Sequence, residues 1–158
     1  MRTRVIGLLA ALVVAALTFS AFFFLSGGDA EEDLIDFAGV VEIYQSQTCG
    51  CCKNYGEYLR GLGLTVRSIE VEDLEGIKSD FGVPESMWSC HTVRIGGYFL
   101  EGHVPVEAIR KLLEEQPDIE GIALPGMPAG SPGMGGIKTE PLTIYSVSGE
   151  GISEFIKV

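Results

Sequence analysis

Val40-Val41-Glu42-Ile43-Tyr44-Gln45-Ser46-Gln47-Thr48-Cys49-Gly50-Cys51-Cys52-Lys53 is the stretch that decides how this chain reads. Its first five residues are a short run rich in β-branched and aromatic side chains, which predicts a buried strand. Polar residues from Gln45 to Thr48 then lead into three cysteines within four positions. Beyond Lys53 the apolar residues Tyr55, Tyr58, Leu59 and Leu62 recur at helical spacing, and Gly61 and Gly63 close the run. The stretch therefore predicts a strand, a cysteine-bearing turn, and a helix over residues 53–62.

Downstream, Leu64-Thr65-Val66-Arg67-Ser68-Ile69 alternates as a second strand. A short helix is expected over residues 74–81, started by Asp73 and stopped by Gly82 and Pro84. Ser89-Cys90-His91-Thr92 follows, then Val93-Arg94-Ile95 and Tyr98-Phe99-Leu100 around Gly96-Gly97, which predicts a hairpin. Residues 105–116 predict a helix with proline in its first turn and Ile109, Leu112 and Leu113 on one face. Residues 125–141 hold most of the proline and predict irregular chain, after which residues 142–147 and 152–158 predict a last pair of strands. The core order is β-α-β-α-β-β-α, and the fold expected from it is α/β and thioredoxin-like. In that fold the end of the first strand meets the start of the first helix, where Cys49 to Cys52 stand.

Upstream, Arg2 and Arg4 precede an uncharged apolar run over residues 5–25. As a helix it would span roughly 30 Å, the thickness of a bilayer's hydrocarbon core. That length favours an uncleaved membrane anchor over a removable signal, although Gly28-Asp29-Ala30 offers a small-residue cleavage site. A buried core helix is the alternative. The two arginines before the run and Asp29, Glu31, Glu32 and Asp33 after it predict an inside amino terminus and an extracytoplasmic domain. The expected organisation is residues 1–28 as signal peptide or transmembrane anchor, 29–39 as acidic linker and 40–158 as the folded domain.

Without Arg2 and Arg4, nine basic residues face 22 acidic ones, a balance of −13. Such a surface repels phosphate and argues against nucleic acid as a partner. The expected partners are metal ions, and the membrane through the N-terminal segment. No residue pattern names a delivery partner.

Four cysteines occupy Cys49, Cys51, Cys52 and Cys90. In an oxidising compartment an even count suggests two structural disulfides, but three thiols crowded into four positions cross-link little of a fold. A helix N-terminus favours the thiolate, which both attacks disulfides and binds metals, so the C-x-x-C pair Cys49 and Cys52 supports a redox and a metal reading alike. Three features favour metal. Cys51 is surplus to a disulfide exchanger. Cys90 stands where redox members of the fold place a cis-proline shield. His91 and His103 add imidazoles to the sulfurs, a donor set suited to Cu(I) or Zn²⁺. The bland alternatives are a Cys49–Cys52 disulfide with Cys90 as a buried apolar residue, a His91 bonded to a backbone carbonyl, and a capping or surface His103. Met127 and Met134 are candidate additional Cu(I) donors or, alternatively, packing residues. Glu101 is a candidate orienter of His103, and Met87 and Trp88 are expected to shield the site or pack the core.

The ordered set Thr48-Cys49-Gly50-Cys51-Cys52-Lys53, Gly82-Val83-Pro84, Ser89-Cys90-His91-Thr92, Gly97-Tyr98, Glu101-Gly102-His103-Val104-Pro105, Leu124-Pro125-Gly126-Met127-Pro128 and Gly130-Ser131-Pro132-Gly133-Met134 resembles the CopG-type proteins of bacterial copper-resistance clusters. The resemblance implies a thioredoxin-like fold, export, and copper bound through Cys49, Cys51, Cys52 and Cys90, with His91 and His103 as further candidates. Gln47 departs from an expected proline and Tyr55 from an expected tryptophan.

The function expected is an extracytoplasmic copper-binding protein of copper resistance or homeostasis, holding Cu(I), with room for more than one ion and for a redox role. The alternative is an enzyme, a thiol-disulfide oxidoreductase using Cys49 and Cys52. Zinc in a Cys₃His site and a [2Fe–2S] cluster are the other metal readings.

Overall fold

The computed structural model describes residues 35–158. The N-terminal apolar run, and with it the anchor or signal reading, lies outside the described residues. Among those residues no helix is long and apolar enough to cross a membrane.

Among the described residues seven strands and three helices follow one another: β1 (Val40–Gln45), α1 (Gly50–Gly61), β2 (Thr65–Glu70), α2 (Leu74–Asp80), β3 (His91–Ile95), β4 (Tyr98–Glu101), α3 (Val106–Glu115), β5 (Gly121–Ala123), β6 (Thr143–Ser148) and β7 (Gly151–Lys157), with a 3₁₀ turn at Glu85–Met87. All seven strands share one sheet in the order β2-β1-β3-β4-β5-β6-β7. β1 runs parallel to β2 and antiparallel to β3, β3 pairs antiparallel with β4, and β4 is parallel to β5. The expected β-α-β-α-β-β-α order is present from β1 to α3, and the expected last strand pair forms β6 and β7.

The period-two alternation of the strands splits the side chains between two faces. On one face Val41, Ile43, Val93, Ile95, Leu100, Ile122 and Ile144 pack with Tyr55 and Leu59 of α1 and with Ala108, Ile109 and Leu112 of α3. On the other, Val83, Phe99 and Val147 gather with Phe81, Met87 and Trp88, and the Phe81 ring stands edge-on to Tyr44 at 5.3 Å. The expected packing role of Met87 and Trp88 is thus met on the face away from α1. Each sheet position therefore reports to one of two environments, and this partition carries through to the site.

Two features differ from expectation. α1 begins at Gly50 and not at Lys53, because the Cys49 sulfur accepts the Cys52 N–H at 3.3 Å and acts as the helix N-cap. Cys51 and Cys52 therefore belong to the first helical turn. β5 was not anticipated, since three residues are too few to show alternation and Gly121 and Ala123 have low strand propensity. It is nonetheless fully buried and joins the core to the last hairpin. Gly121 is required there: a Cβ would run into the Phe99 carbonyl and ring on β4.

Replacing the fully buried Ile122 by alanine is expected to cost about 2–5 kcal/mol of stability in urea denaturation. A loss under about 0.5 kcal/mol, the range of surface substitutions, would show that β5 is not part of the core.

Candidate metal centre

The chain leaves β1 through Ser46, whose carbonyl accepts the Cys49 N–H at 3.2 Å, and turns directly into α1. Cys49 and Cys52, one helical turn apart with Cα atoms 5.4 Å apart, are joined as a disulfide; Cys51 and Cys90 are free thiols. The Cys51 sulfur lies 3.6 Å from that of Cys49 and 3.8 Å from that of Cys90. The Cys52 sulfur, fully buried, lies 3.5 Å from the Cys90 carbonyl. Sulfur from two segments 39 residues apart thus converges, and all four lie within 4.8 Å of one another. One bridge, not two, accompanies this cluster, and it links neighbours within one helical turn.

Both imidazoles join from the other side. The Cys90 sulfur lies 3.3 Å from His91 Nδ1 and 3.1 Å from His103 Nε2, and these three residues form a second possible donor group. The expected alternative of a capping or surface His103 does not hold. His103 is fully buried, the N-cap of α3 is Pro105 with no side-chain cap bond, and Nδ1–H donates to the Pro132 carbonyl at 2.6 Å. That bond places the proton on Nδ1 and leaves Nε2 bare toward Cys90. Tyr55 packs on both rings, 4.7 Å from His91 and 5.4 Å from His103, and its hydroxyl donates to the Val104 carbonyl at 2.8 Å. Met127 is 55% exposed. Met134 closes the turn that contributes the Pro132 carbonyl, and the Asn54 side chain of α1 donates to Gly133 O at 3.4 Å.

The electrostatics favour neutral donors. Burial pushes the Cys90 thiol up to about 12, helped by the nearby Cys51 sulfur. Burial holds His91 well below the ordinary histidine range, with His103 and Lys78 adding to it, and burial lowers His103 as well. At neutral pH the rings are uncharged and Cys90 is protonated, so an arriving ion must displace that proton.

The expected pairing of Glu101 with His103 does not occur. Thr92 and Glu101 are partners across the β3–β4 ladder and face away from α1, so the Glu101 carboxylate turns to α2. There it receives the Lys78 ammonium, the Ser89 N–H at 2.6 Å and the Thr92 hydroxyl at 2.6 Å, while Lys78 also donates to Thr92 Oγ1 at 3.1 Å. Both charges are buried, with Lys78 3% exposed and Glu101 not at all. Burial raises the Glu101 carboxyl and Lys78 opposes it. Because Ser89 and Thr92 flank Cys90 and His91, this network grips the donor-bearing dipeptide from the opposite face of the sheet. Neither Lys78 nor the Pro132 carbonyl was foreseen; the only signal in the sequence was a polar Thr92 and Glu101 on strands covered on both sides.

Four sulfurs and two imidazole nitrogens form two groups that share Cys90 and are capable of holding a metal ion, in a mixed α/β protein of the cysteine-histidine class. The family described as "Protein of unknown function, DUF411" matches residues 87–134, from Met87 through His103 to Met134. Two solved structures, both titled copper resistance protein copG (forms 2 and 1), match at 39% identity with TM-scores of 0.70 and 0.69. They cover 75% of this chain, and 97% and 96% of their own chains. Among curated proteins none matches. The chain belongs to the CopG-type copper-resistance family.

Glu101→Gln leaves Lys78 buried without its counter-charge and is expected to cost about 3–5 kcal/mol in chemical denaturation. Removing both charges in Lys78→Met/Glu101→Leu is expected to recover most of that loss, and no recovery would mean that charge imbalance is not the cause. The imidazoles set a pH dependence as well. With both held below 6.5 in the folded state, the unfolded chain takes up protons that the folded one refuses. The metal-free protein is therefore expected to keep their full contribution above pH 6.5 and to lose stability as pH falls through it. Glu101, raised above 4.5, acts with the opposite slope nearer its own range. Denaturation midpoints at about pH 8 and about pH 5 test this, and the slope should shrink in His91→Phe.

Proposed function

We propose that this protein is an extracytoplasmic copper-binding protein of copper resistance or homeostasis, holding Cu(I) through Cys49, Cys51, Cys52 and Cys90, with His91 and His103 completing the donor set. The observation that carries this reading is Cys90, whose sulfur stands within 3.8 Å of the α1 cluster and within 3.3 Å of a nitrogen of each imidazole. Thiolate and imidazole are soft and borderline donors, the set that suits Cu(I). A thiolate can bridge two coppers, and two donor groups sharing Cys90 give room for more than one ion. Met134, on the turn that orients His103, is a further candidate donor, and Met127 is a more exposed one.

The β-α-β-α-β-β-α order, with the cysteines at the junction of β1 and α1, supports a thioredoxin-like fold. Residues 1–28 are proposed as the anchor or signal that carries the domain outside, with its N-terminus inside the cell. The Cys49–Cys52 disulfide supports a redox role. A dithiol reductant that opens it supplies two electrons and two protons, its own sulfurs join, and Cys49 and Cys52 become thiols able to ligate.

The same disulfide supports a second reading, a thiol-disulfide oxidoreductase. That enzyme would turn over a disulfide substrate after loss of Cys51 and Cys90, whereas the metal reading needs all four sulfurs.

Anaerobic competition with a Cu(I) chelator separates the two. Reduced protein is expected to bind more Cu(I) per chain than the disulfide form, and Cys90→Ser is expected to weaken binding by at least about tenfold, 1.4 kcal/mol. Equal uptake by reduced, oxidised and Cys90→Ser protein would sink the copper reading. Zinc would load without colour or redox response, and a [2Fe–2S] cluster would bring iron and a brown product.

A further inference from the structure

The two rings that face Cys90 differ in what holds their outer nitrogen. His103 Nδ1–H has the Pro132 carbonyl, while His91 Nε2, fully buried, has no hydrogen-bond partner. Among the described residues one other buried side-chain atom lacks a partner, Gln45 Oε1. Gln45 and His91 are direct partners across the antiparallel β1–β3 ladder, and both are buried, at 2% and 0% exposure. Directly paired residues present their side chains to the same face, with Cβ atoms about 4.5–5.5 Å apart. Gln45 follows Val41 and Ile43 in the alternation of β1, so this shared face is the one packed on α1.

An imidazole that ligates through one nitrogen carries its proton on the other. His91 presents Nδ1 to Cys90, so ligation there puts the proton on Nε2, which bulk solvent does not reach. A buried N–H left unsatisfied is destabilising, because its desolvation goes uncompensated. The ring is hemmed in by Tyr55 at 4.7 Å and by His103 at 4.8 Å, and the Gly102 backbone also acts on it, yet Nε2 finds no partner there, so the flexible Gln45 side chain is the group that can adjust.

We propose that Gln45 is a positioning residue for His91: its amide oxygen accepts Nε2–H and leaves Nδ1 bare toward Cys90 and a metal ion held beside it. The proposal rests on the metal-binding reading above. Gln45 thereby does for His91 what the Pro132 carbonyl does for His103, and the two rings are aimed through opposite nitrogens.

Two variants test it in the full chain. Gln45→Met keeps the size and removes the acceptor; Gln45→Glu keeps an acceptor. Cu(I) is closed-shell, so imidazole nitrogens and Nε2–H can be followed by NMR in the loaded protein. The parent is expected to show His91 with Nε2–H protonated and protected from exchange. Gln45→Met is expected to lose that protection and to bind Cu(I) about 10–100-fold more weakly, the usual effect of removing an outer partner of a ligating histidine. Gln45→Glu is expected to restore both. A parental affinity and an unchanged His91 spectrum in Gln45→Met, whatever its melting temperature, would overturn the proposal, as would a His91 that binds through Nε2. A parent that takes up no Cu(I) would instead overturn the copper reading itself.

Discussion

An antiparallel strand pair brings the end of one strand beside the beginning of the other. In this protein β1 ends at Gln45 and β3 begins at His91, and these two residues are partners. Whatever follows β1 must therefore meet whatever precedes β3, and the sequence places cysteines in both. The pairing makes Cys51 and Cys90 neighbours across 39 residues of chain without any direct covalent link between them. The alternation of β3 then sends His91 toward α1 and Thr92 toward α2. A slip of one residue in this register would exchange those directions and put a hydroxyl where the imidazole stands.

The opposite face of the sheet holds that register. Burying a lysine and a carboxylate is costly in desolvation, and an apolar pair of similar volume is often as stable or more so. What the ionic pair supplies here is directional: Glu101 receives bonds from the Ser89 backbone, the Thr92 side chain and Lys78 at once, so the segment between Ser89 and Thr92 is fixed at both ends. Hydrophobic packing alone is not directional enough to do this. The donors on one face and the clasp on the other are two uses of one strand.

Much of this was legible in the residues. The β1 run, the helical spacing of Tyr55 to Leu62, the glycine-marked hairpin and the last strand pair all follow local rules, and the structure contains each of them. The cysteine cluster was legible because three cysteines in four positions, answered by Cys90, cross-link little of a fold, and the structure brings all four sulfurs within 4.8 Å of one another. What was not legible depended on pairing between distant segments. Nothing in the sequence around Lys78 marks it for burial; the sheet brings Thr92 and Glu101 beneath it. Gln45 read as the first residue of a polar turn until its ladder partner proved to be His91. β5 is held by its neighbours on both sides and has too few residues to announce itself.

The carbonyl that steers His103 belongs to residues 125–141, the irregular glycine- and proline-rich stretch outside the strands and helices. Structural integrity and the aim of the imidazoles therefore have separate anchors. A protease cut in that stretch would spare the hydrogen-bonded ladders from β1 to β5 yet set one imidazole adrift. Damage of this kind would leave a well-folded protein whose cysteines and imidazoles no longer converge.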